Sequence, residues 1–121
     1  MRLPTSILTS VLLVGCISTP EYPYRAMPEL DPKIEAIPLE VTLPQYPKYA
    51  AYNNISGWVH FELFIKEDGS AHKIKVLDSH PEDIFVRSAL NEIKNWKFEA
   101  SSTTQAYQYL IEFKTEKKYP H

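Results

Sequence analysis

The strongest constraint on the fold is an alternating stretch over residues 57–79. Its first half places four apolar side chains on one face of a β-strand: Val59, Phe61, Leu63 and Ile65. Its second half places Ile74 and Val76 on one side and lysines on the other, which is typical of a half-solvated antiparallel strand. Asp68-Gly69 between the two halves supplies the positive φ of a tight turn. The stretch therefore predicts a β-hairpin, whose apolar face needs a cover because an isolated hairpin is marginally stable.

The segment after the hairpin predicts that cover. Ser79-His80-Pro81-Glu82 has the spacing of a capping box and a proline in the first turn, so we expect a helix to begin at Ser79. Apolar residues then recur at helical spacing: Phe85, Ala89, Ile93 and Trp96, flanked by Val86 and Leu90. This stripe is wide enough to pack across the hairpin, and we expect Trp96 and Phe98 to lie in the core.

Two further elements complete the predicted domain. Residues 48–52, after Pro47, suit a short helix with proline in its first turn. Residues 107–113 alternate as a third strand, which we expect at a sheet edge, where unpaired backbone groups can accept another chain. The predicted fold class is α+β, with the order α-β-β-α-β: a small three-stranded antiparallel sheet covered by one main helix, with a short N-terminal helix. Trp58, on the outer face, is a candidate exposed contact, and the alternative is packing against the first helix.

Composition excludes several classes of function. The 121 residues suffice for one small domain, and a formal net charge of −2 gives no electrostatic footprint for nucleic acid. Three glycines cannot form a glycine-rich phosphate loop. The four histidines fall in separate predicted elements and do not converge on a metal site: His60, His72, His80 and His121. No carboxylate has an identifiable nucleophile or base as partner. We therefore predict no enzyme, no metal site and no cofactor.

The start of the chain has the features of an export signal. Arg2 precedes a mostly apolar run over residues 7–14 that is too short to cross a bilayer. The run ends in Leu13-Val14-Gly15-Cys16, which resembles the bacterial lipobox, in which the cysteine is lipidated. We interpret residues 1–15 as a lipoprotein signal peptide and Cys16 as the lipidation site; the alternatives are a plain signal peptide or a buried free cysteine. A lipidated chain would face the periplasm, and Ile17 after the cysteine favours the outer membrane by resemblance to bacterial lipoproteins.

Residues 16–43 are predicted to be a lipid-anchored linker that contains prolines. Five prolines interrupt any apolar periodicity, so the segment is expected to act as a tether. Near its end four aliphatic residues alternate, and they predict either a short edge strand or packing on the domain: Ile37, Leu39, Val41 and Leu43. The folded domain is then expected over residues 44–115, with a C-terminal tail over residues 116–121.

Several motifs in this domain carry a family resemblance. In order they are Pro44-Gln45-Tyr46-Pro47, Ala50, Gly57-x-Val59-x-Phe61, Asp68-Gly69, Leu77, Pro81, Phe85 and Trp96-Lys97-Phe98. At these spacings the segment resembles the TonB C-terminal domain, the receptor-binding part of the energy transducer TonB. The resemblance implies β-strand addition of the TonB box of an outer-membrane receptor, in siderophore or cobalamin transport. The partner-binding residues that it implies are Gln45, Tyr46, Pro47, Tyr107, Gln108, Tyr109, Leu110, Ile111, Glu112, Phe113 and Lys114.

The resemblance covers only about residues 44–115. A full transducer has an uncleaved inner-membrane helix and a long proline-rich spacer, and here a lipobox-type signal stands in their place. We therefore expect receptor binding without the means of harvesting proton-motive force. The alternative is an envelope lipoprotein with a structural or self-associating role, including a homodimer.

Overall fold

The order of elements is that of the predicted α+β domain, with one additional pair of short strands. The computed structural model describes residues 22–100 and 104–115. Its elements are β1 (Pro38–Glu40), α1 (Lys48–Tyr52), β2 (Gly57–Ile65), β3 (Ala71–His80), α2 (Val86–Ile93), β4 (Lys97–Phe98) and β5 (Tyr107–Phe113). The predicted signal peptide, Cys16, the tail over residues 116–121 and His121 lie outside the described residues. Neither described helix has the length and apolar character needed to cross a bilayer.

The main sheet has the strand order β3-β2-β5, and both pairings are antiparallel. Val59 in the central strand lies opposite Ser79 on one side and Ile111 on the other. The turn between β2 and β3 is closed by the N–H of Lys66, which donates to the carbonyl of Ser70, and Gly69 adopts a φ of 86°. The predicted hairpin and its glycine turn are confirmed, and β5 forms the predicted edge of the sheet.

The apolar face of β2 packs against α2 and the residues that follow it. The stripe predicted for the helix is buried, and so are the inward residues of β2 and β5: Val59, Phe61, Leu63, Phe85, Ala89, Ile93, Trp96, Phe98, Ile111 and Phe113. Burying each Val, Leu, Ile or Phe side chain of this set is worth about 1.5 to 3 kcal/mol before conformational entropy is subtracted. The helix is therefore the cover that the hairpin requires.

The predicted start of this helix at Ser79 is wrong. β3 continues through His80, and α2 begins only at Val86 after a series of turns. Ser79 is paired with Val59, and its hydroxyl donates to the carbonyl of Glu82 instead of capping a helix N–H. Register pairing with β2 extends β3 through His80, and the N–H of Ser79 bonds to the carboxylate of its neighbour Asp78, so the local capping signal is overridden by the sheet.

Gly57 begins β2 at a point where only a glycine fits. A Cβ built on Gly57 would lie 2.0 Å from the carbonyl oxygen of His80 and 2.7 Å from the ring of Phe85. Such distances are far inside van der Waals contact, so the absence of a side chain allows β2, β3 and the turn before α2 to meet.

The segment predicted to be a tether lies instead against the domain over much of its length. β1 pairs antiparallel with β4, with Pro38 opposite Phe98, so the predicted short edge strand is present. Residues 34–36 also pair with Gln108 of β5, and Ala36 is 2 % exposed. We call residues 34–40 the strap. The four alternating aliphatic residues do not pack on the domain, and all are exposed: Ile37, Leu39, Val41 and Leu43.

Candidate partner-binding site

The outer edge of β5 presents backbone groups that β2 does not use. Gln108 lies opposite Glu62, yet its N–H and C=O bond to Ile34 and Ala36 on the other side. Alternate residues of an antiparallel strand direct their backbone groups to the same side. No register shift interrupts the pairing of β2 with β5, so Leu110 and Glu112 also direct N–H and C=O groups outward. This edge can therefore accept a strand.

The other set of β5 residues anchors the strand in the core. Ile111 and Phe113 are buried, and the half-buried ring of Tyr109 packs edge to face against Trp96 and Phe98 at centroid distances of 5.6 and 6.2 Å. Burial raises the pKa of the Tyr109 hydroxyl, and Glu35 of the strap raises it further. Because these core-facing side chains fix β5 in place, its outer edge is held in an extended form that a second strand can pair with.

Tyr46 joins the segment Gln45-Tyr46-Pro47 to the end of β5. Its ring contacts Phe113 and Phe85 edge to face, with centroids 5.8 and 5.5 Å apart, and Phe85 stacks on Phe113 at 4.5 Å. The Tyr46 hydroxyl donates to the carbonyl of Ile55, and burial raises its pKa. Tyr46 is thus an anchor, while Gln45 remains exposed beside it.

Two concave surfaces adjoin Tyr46. A small pocket of about 190 Å³ is lined by Tyr46 and Lys114 together with residues of the α1 end. A larger groove of about 880 Å³ lies between residues 45–48 and α2, and Arg87 of α2 and Asp83 of the turn before it line the groove. The structure therefore brings Gln45-Tyr46-Pro47 together with the C-terminal end of β5. It does not bring them to Tyr107 and Gln108, which lie at the opposite end of the strand beside the strap.

Trp58 does not have the exposed position predicted for it. It is 4 % exposed, and the guanidinium of Arg25 lies over its ring, 5.3 Å from the centroid. Arg25 also forms an ion pair with Asp78 at 2.6 Å, and this hydrogen bond lowers the pKa of the Asp78 carboxyl. Trp58 is therefore covered by Arg25, from the segment before the strap, and by His80 of β3, rather than by α1, which was the alternative.

The outer face of the sheet carries the three described histidines in separate contacts. His60 Nε2 is 2.8 Å from Oε1 of Gln108, His72 lies against Phe64, and His80 lies against Trp58. Within residues 22–100 and 104–115, no group of His, Cys, Asp and Glu has the arrangement needed to hold a metal ion.

Neither Arg25 nor the strap could be recognised from the sequence as part of this surface. The only signal was the alternation over residues 37–43, which indicated a strand without indicating its partner. Backbone pairing of the kind that Ala36 makes with Gln108 leaves no side-chain pattern, so its partner is visible only in the structure.

Comparisons with known proteins agree with this architecture. The family model of the Gram-negative bacterial TonB protein C-terminal matches residues 42–116. Protein TonB of Vibrio cholerae serotype O1 is 36 % identical over 55 residues, which are 46 % of this chain and 22 % of that protein. Protein TonB of Escherichia coli K12 is 30 % identical over 56 residues, which are 46 % of this chain and 23 % of that protein. The chain thus matches less than a quarter of the length of these two relatives.

Solved structures give the same result for the fold. The TonB2 protein from Vibrio anguillarum aligns with a TM-score of 0.56 and 27 % identity, over 80 % of this chain and 100 % of that one. The solution structure of the Pseudomonas aeruginosa TonB C-terminal domain aligns with a TM-score of 0.51 and 27 % identity, over 72 % of this chain and 91 % of that one. Because the family model covers more than half of the chain and these folds agree with it, the chain belongs to the TonB C-terminal domain family.

Proposed function

We propose that this chain is the periplasmic protein-binding module of a TonB-like system and binds a TonB-box segment of an outer-membrane receptor by β-strand addition to β5. The observation that carries the proposal is the outward direction of the backbone groups of Leu110 and Glu112. An extended peptide that pairs with an exposed edge gains affinity from main-chain hydrogen bonds and selectivity from alternate side chains.

The surface around Tyr46 supports the same partner. Two outward residues of β5 offer at most four backbone hydrogen bonds, worth about 0.5 to 1.5 kcal/mol each in net free energy. Association itself costs several kcal/mol, so such a short pairing is insufficient alone. Gln45 lines the groove beside Tyr46 and Lys114 lines the small pocket beside it, so we expect both to contact the partner where it passes the end of β5. We expect a weak, transient complex.

We further propose a cell-envelope location. In this view, Cys16 carries the lipid and residues 1–15 are removed. The acyl chains then hold the protein at the periplasmic face of the outer membrane, since Ile17 and not Asp follows the cysteine. The imported nutrient would be of the siderophore or cobalamin class. These statements rest on the family and on the lipobox-type motif.

The test is a titration of the protein with synthetic TonB-box peptides from the receptors of the same genome, followed by backbone amide NMR. We expect shifts along residues 110–114 and at Gln45. Two matched peptides, N-methylated at alternate sets of positions, serve as controls, because only one set of peptide N–H groups faces β5 in a strand pair. One methylated peptide should lose binding and the other keep it. Equal binding of both, or shifts confined to other surfaces, would exclude strand addition.

A second function, self-association in the envelope, is favoured by one observation. The aliphatic side chains Ile37, Leu39, Val41 and Leu43 form an exposed alternating row on the strap and the residues after it. Such a row on a short strand is a surface on which a second copy can pair. Analytical ultracentrifugation distinguishes this function from receptor binding: a dimer that Leu39→Lys and Val41→Lys dissociate would support it, and a monomer at high concentration would exclude it.

A further inference from the structure

The strap occupies part of the edge on which the proposed partner would bind. Ile34 accepts a hydrogen bond from the N–H of Gln108 at 2.7 Å, and Ala36 donates to the carbonyl of Gln108 at 2.8 Å. Glu35 is the parallel partner of Gln108 in this pairing. Both outward backbone groups of Gln108 are therefore used within the chain.

A second set of contacts holds the strap beyond β5. The N–H of Glu99 donates to the carbonyl of Ile37 at 2.8 Å, and β1 then pairs with β4. After the strap, Thr42 bonds to Glu92, and the indole N–H of Trp96 donates to the Thr42 hydroxyl at 3.2 Å. The strap is thus attached at both ends of its path across the domain.

The attachment relies on backbone groups and on few side chains. Ala36 is the one buried residue of the strap, and Pro38 is half-buried, whereas Ile37 and Leu39 are 55 % and 65 % exposed. The backbone hydrogen bonds of the strap are opposed by the conformational entropy lost when its residues are ordered. The docked form is therefore favoured by a small net free energy, and release is energetically accessible.

We propose that the strap is an intramolecular competitor for the edge of β5. A partner strand that pairs with the whole edge, from Gln108 to Glu112, needs the two backbone groups that Ile34 and Ala36 occupy, and two strands cannot lie in the same place beside β5. The partner therefore binds the whole edge only when the strap is released. This inference rests on the proposed function, because it regulates the same site.

The first test compares two proline variants of the full chain. Ala36→Pro removes the N–H that donates to Gln108 and places a ring at a buried position. Ile37→Pro is the matched control, because it retains the carbonyl that accepts from Glu99 and replaces an exposed side chain.

The probe for both variants is the TonB-box peptide that binds wild type most tightly. We expect Ala36→Pro to bind it about tenfold more tightly or more, since occlusion reduces apparent affinity by the fraction of open protein. Ile37→Pro should bind as wild type does.

Hydrogen exchange of the free proteins shows whether the variants act on the strap. The Gln108 amide should exchange slowly in wild type and in Ile37→Pro and rapidly in Ala36→Pro, while the Ile111 amide stays protected in all three. Loss of protection at Ile111 would indicate general unfolding, and the disulfide variant below then decides the question. A rapidly exchanging Gln108 amide in wild type would overturn the proposal.

The second test locks the strap in place. Strands lie about 4.8 Å apart, which is within the Cα separation that a disulfide spans, so Glu35→Cys with Gln108→Cys should form one. Cys16→Ser in the same chain leaves the engineered pair as the only thiols. The oxidised form should bind the peptide at least about tenfold more weakly than the reduced form of the same protein, which is its own control.

The outcomes separate this inference from the proposed function. Tighter binding by Ala36→Pro and weaker binding by the oxidised form support the competition. Equal binding by all forms, with shifts along β5, overturns the competition and leaves the receptor-binding proposal standing. If no form binds any peptide, including Ala36→Pro with its edge open, the receptor-binding proposal itself is overturned.

Discussion

The ring of Tyr46 meets the ring of Phe113 edge to face, with their centroids 5.8 Å apart. This contact joins the segment before α1 to the last residue of β5, two parts of the chain that are far apart in sequence. Because Phe113 also stacks on Phe85, the three rings tie both proposed partner-contact segments to the turn before α2. A change at Tyr46 should therefore affect stability as well as partner binding.

We predict a graded loss of stability at Tyr46. Tyr46→Phe keeps the ring contacts and loses the hydrogen bond to Ile55, so the free energy of unfolding should fall by about 0.5 to 1.5 kcal/mol. Tyr46→Ala also removes the ring contacts and should cost about 2 to 4 kcal/mol. Urea unfolding followed by circular dichroism measures both. Tyr52→Phe is the control, since Tyr52 is exposed and should change stability by less than about 0.5 kcal/mol. Equal effects of the two Tyr46 variants would contradict the role of the rings.

Gly57→Ala should be severely destabilising although it adds one methyl group. The new Cβ would lie 2.0 Å from the carbonyl oxygen of His80, which is a backbone atom and cannot rotate away. We expect a loss of about 3 kcal/mol or more in urea unfolding, at the upper end of overpacking effects. Asn54→Gly is the converse control: Asn54 has a φ of 53°, which glycine adopts without strain, so stability should change little. A near-neutral Gly57→Ala would show that β2 and β3 can separate at this point.

The elements that could be predicted from the sequence are those in which side-chain periodicity reports burial. Alternation placed Val59 and Phe61 on the buried face of β2, and helical spacing placed Ala89 and Ile93 on the buried face of α2. In each case an apolar residue is required at every inward position, so the pattern is imposed by the core. The helix start at Ser79 failed because its capping signal is local, whereas pairing with Val59 is a long-range interaction.

The parts that could not be predicted depend on contacts without a residue pattern. The strap is joined to β5 through the backbone of Ile34 and Ala36, and every residue type carries those groups. Alternation also assigned Trp58 correctly to the outer face of β2. It could not show that Arg25, from the predicted tether, would cover the ring.

Arg25 provides a prediction about pH. The guanidinium donates to the Asp78 carboxylate and lowers its pKa from the ordinary 3.8, so the charged form is favoured in the folded protein. A lowered pKa contributes stability that is present above about pH 4 and is lost as the pH falls through the folded-state value. Docking of the segment around Arg25 should therefore weaken in acid. Arg25→Gln should return the Asp78 pKa toward its ordinary value, as measured by NMR titration of the carboxyl group.

The fluorescence of Trp58 should report the release of the segment around Arg25 independently of the Asp78 titration. Because Arg25 lies over its ring, Arg25→Gln should increase the quenching of Trp58 fluorescence by acrylamide at neutral pH, and wild type should approach the same level in acid. Trp96 is buried elsewhere and sets a constant background. Arg87→Gln is the matched control, since Arg87 lies on α2 beside the groove and should leave both readouts unchanged. An unaltered Asp78 pKa in Arg25→Gln would show that the ion pair does not persist in solution.

Tyr109 gives the last prediction, at alkaline pH. Burial raises the pKa of its hydroxyl above the ordinary 10.0, and the carboxylate of Glu35 raises it further. A group whose pKa is higher in the folded state contributes stability that is fully present below about pH 10 and is lost as the pH rises through the folded-state value. Stability should therefore fall less between about pH 8 and pH 11 in Tyr109→Phe than in wild type.

The contribution of Glu35 to the Tyr109 pKa can be measured by an absorbance titration. Glu35→Gln should lower the Tyr109 pKa, and Glu99→Gln, which neutralises an exposed carboxylate next to β4, should not. Because Glu35 lies in the strap, Ala36→Pro should lower this pKa in the same direction without any peptide present. An unchanged Tyr109 pKa in both strap variants would mean that the strap is already released in the free protein.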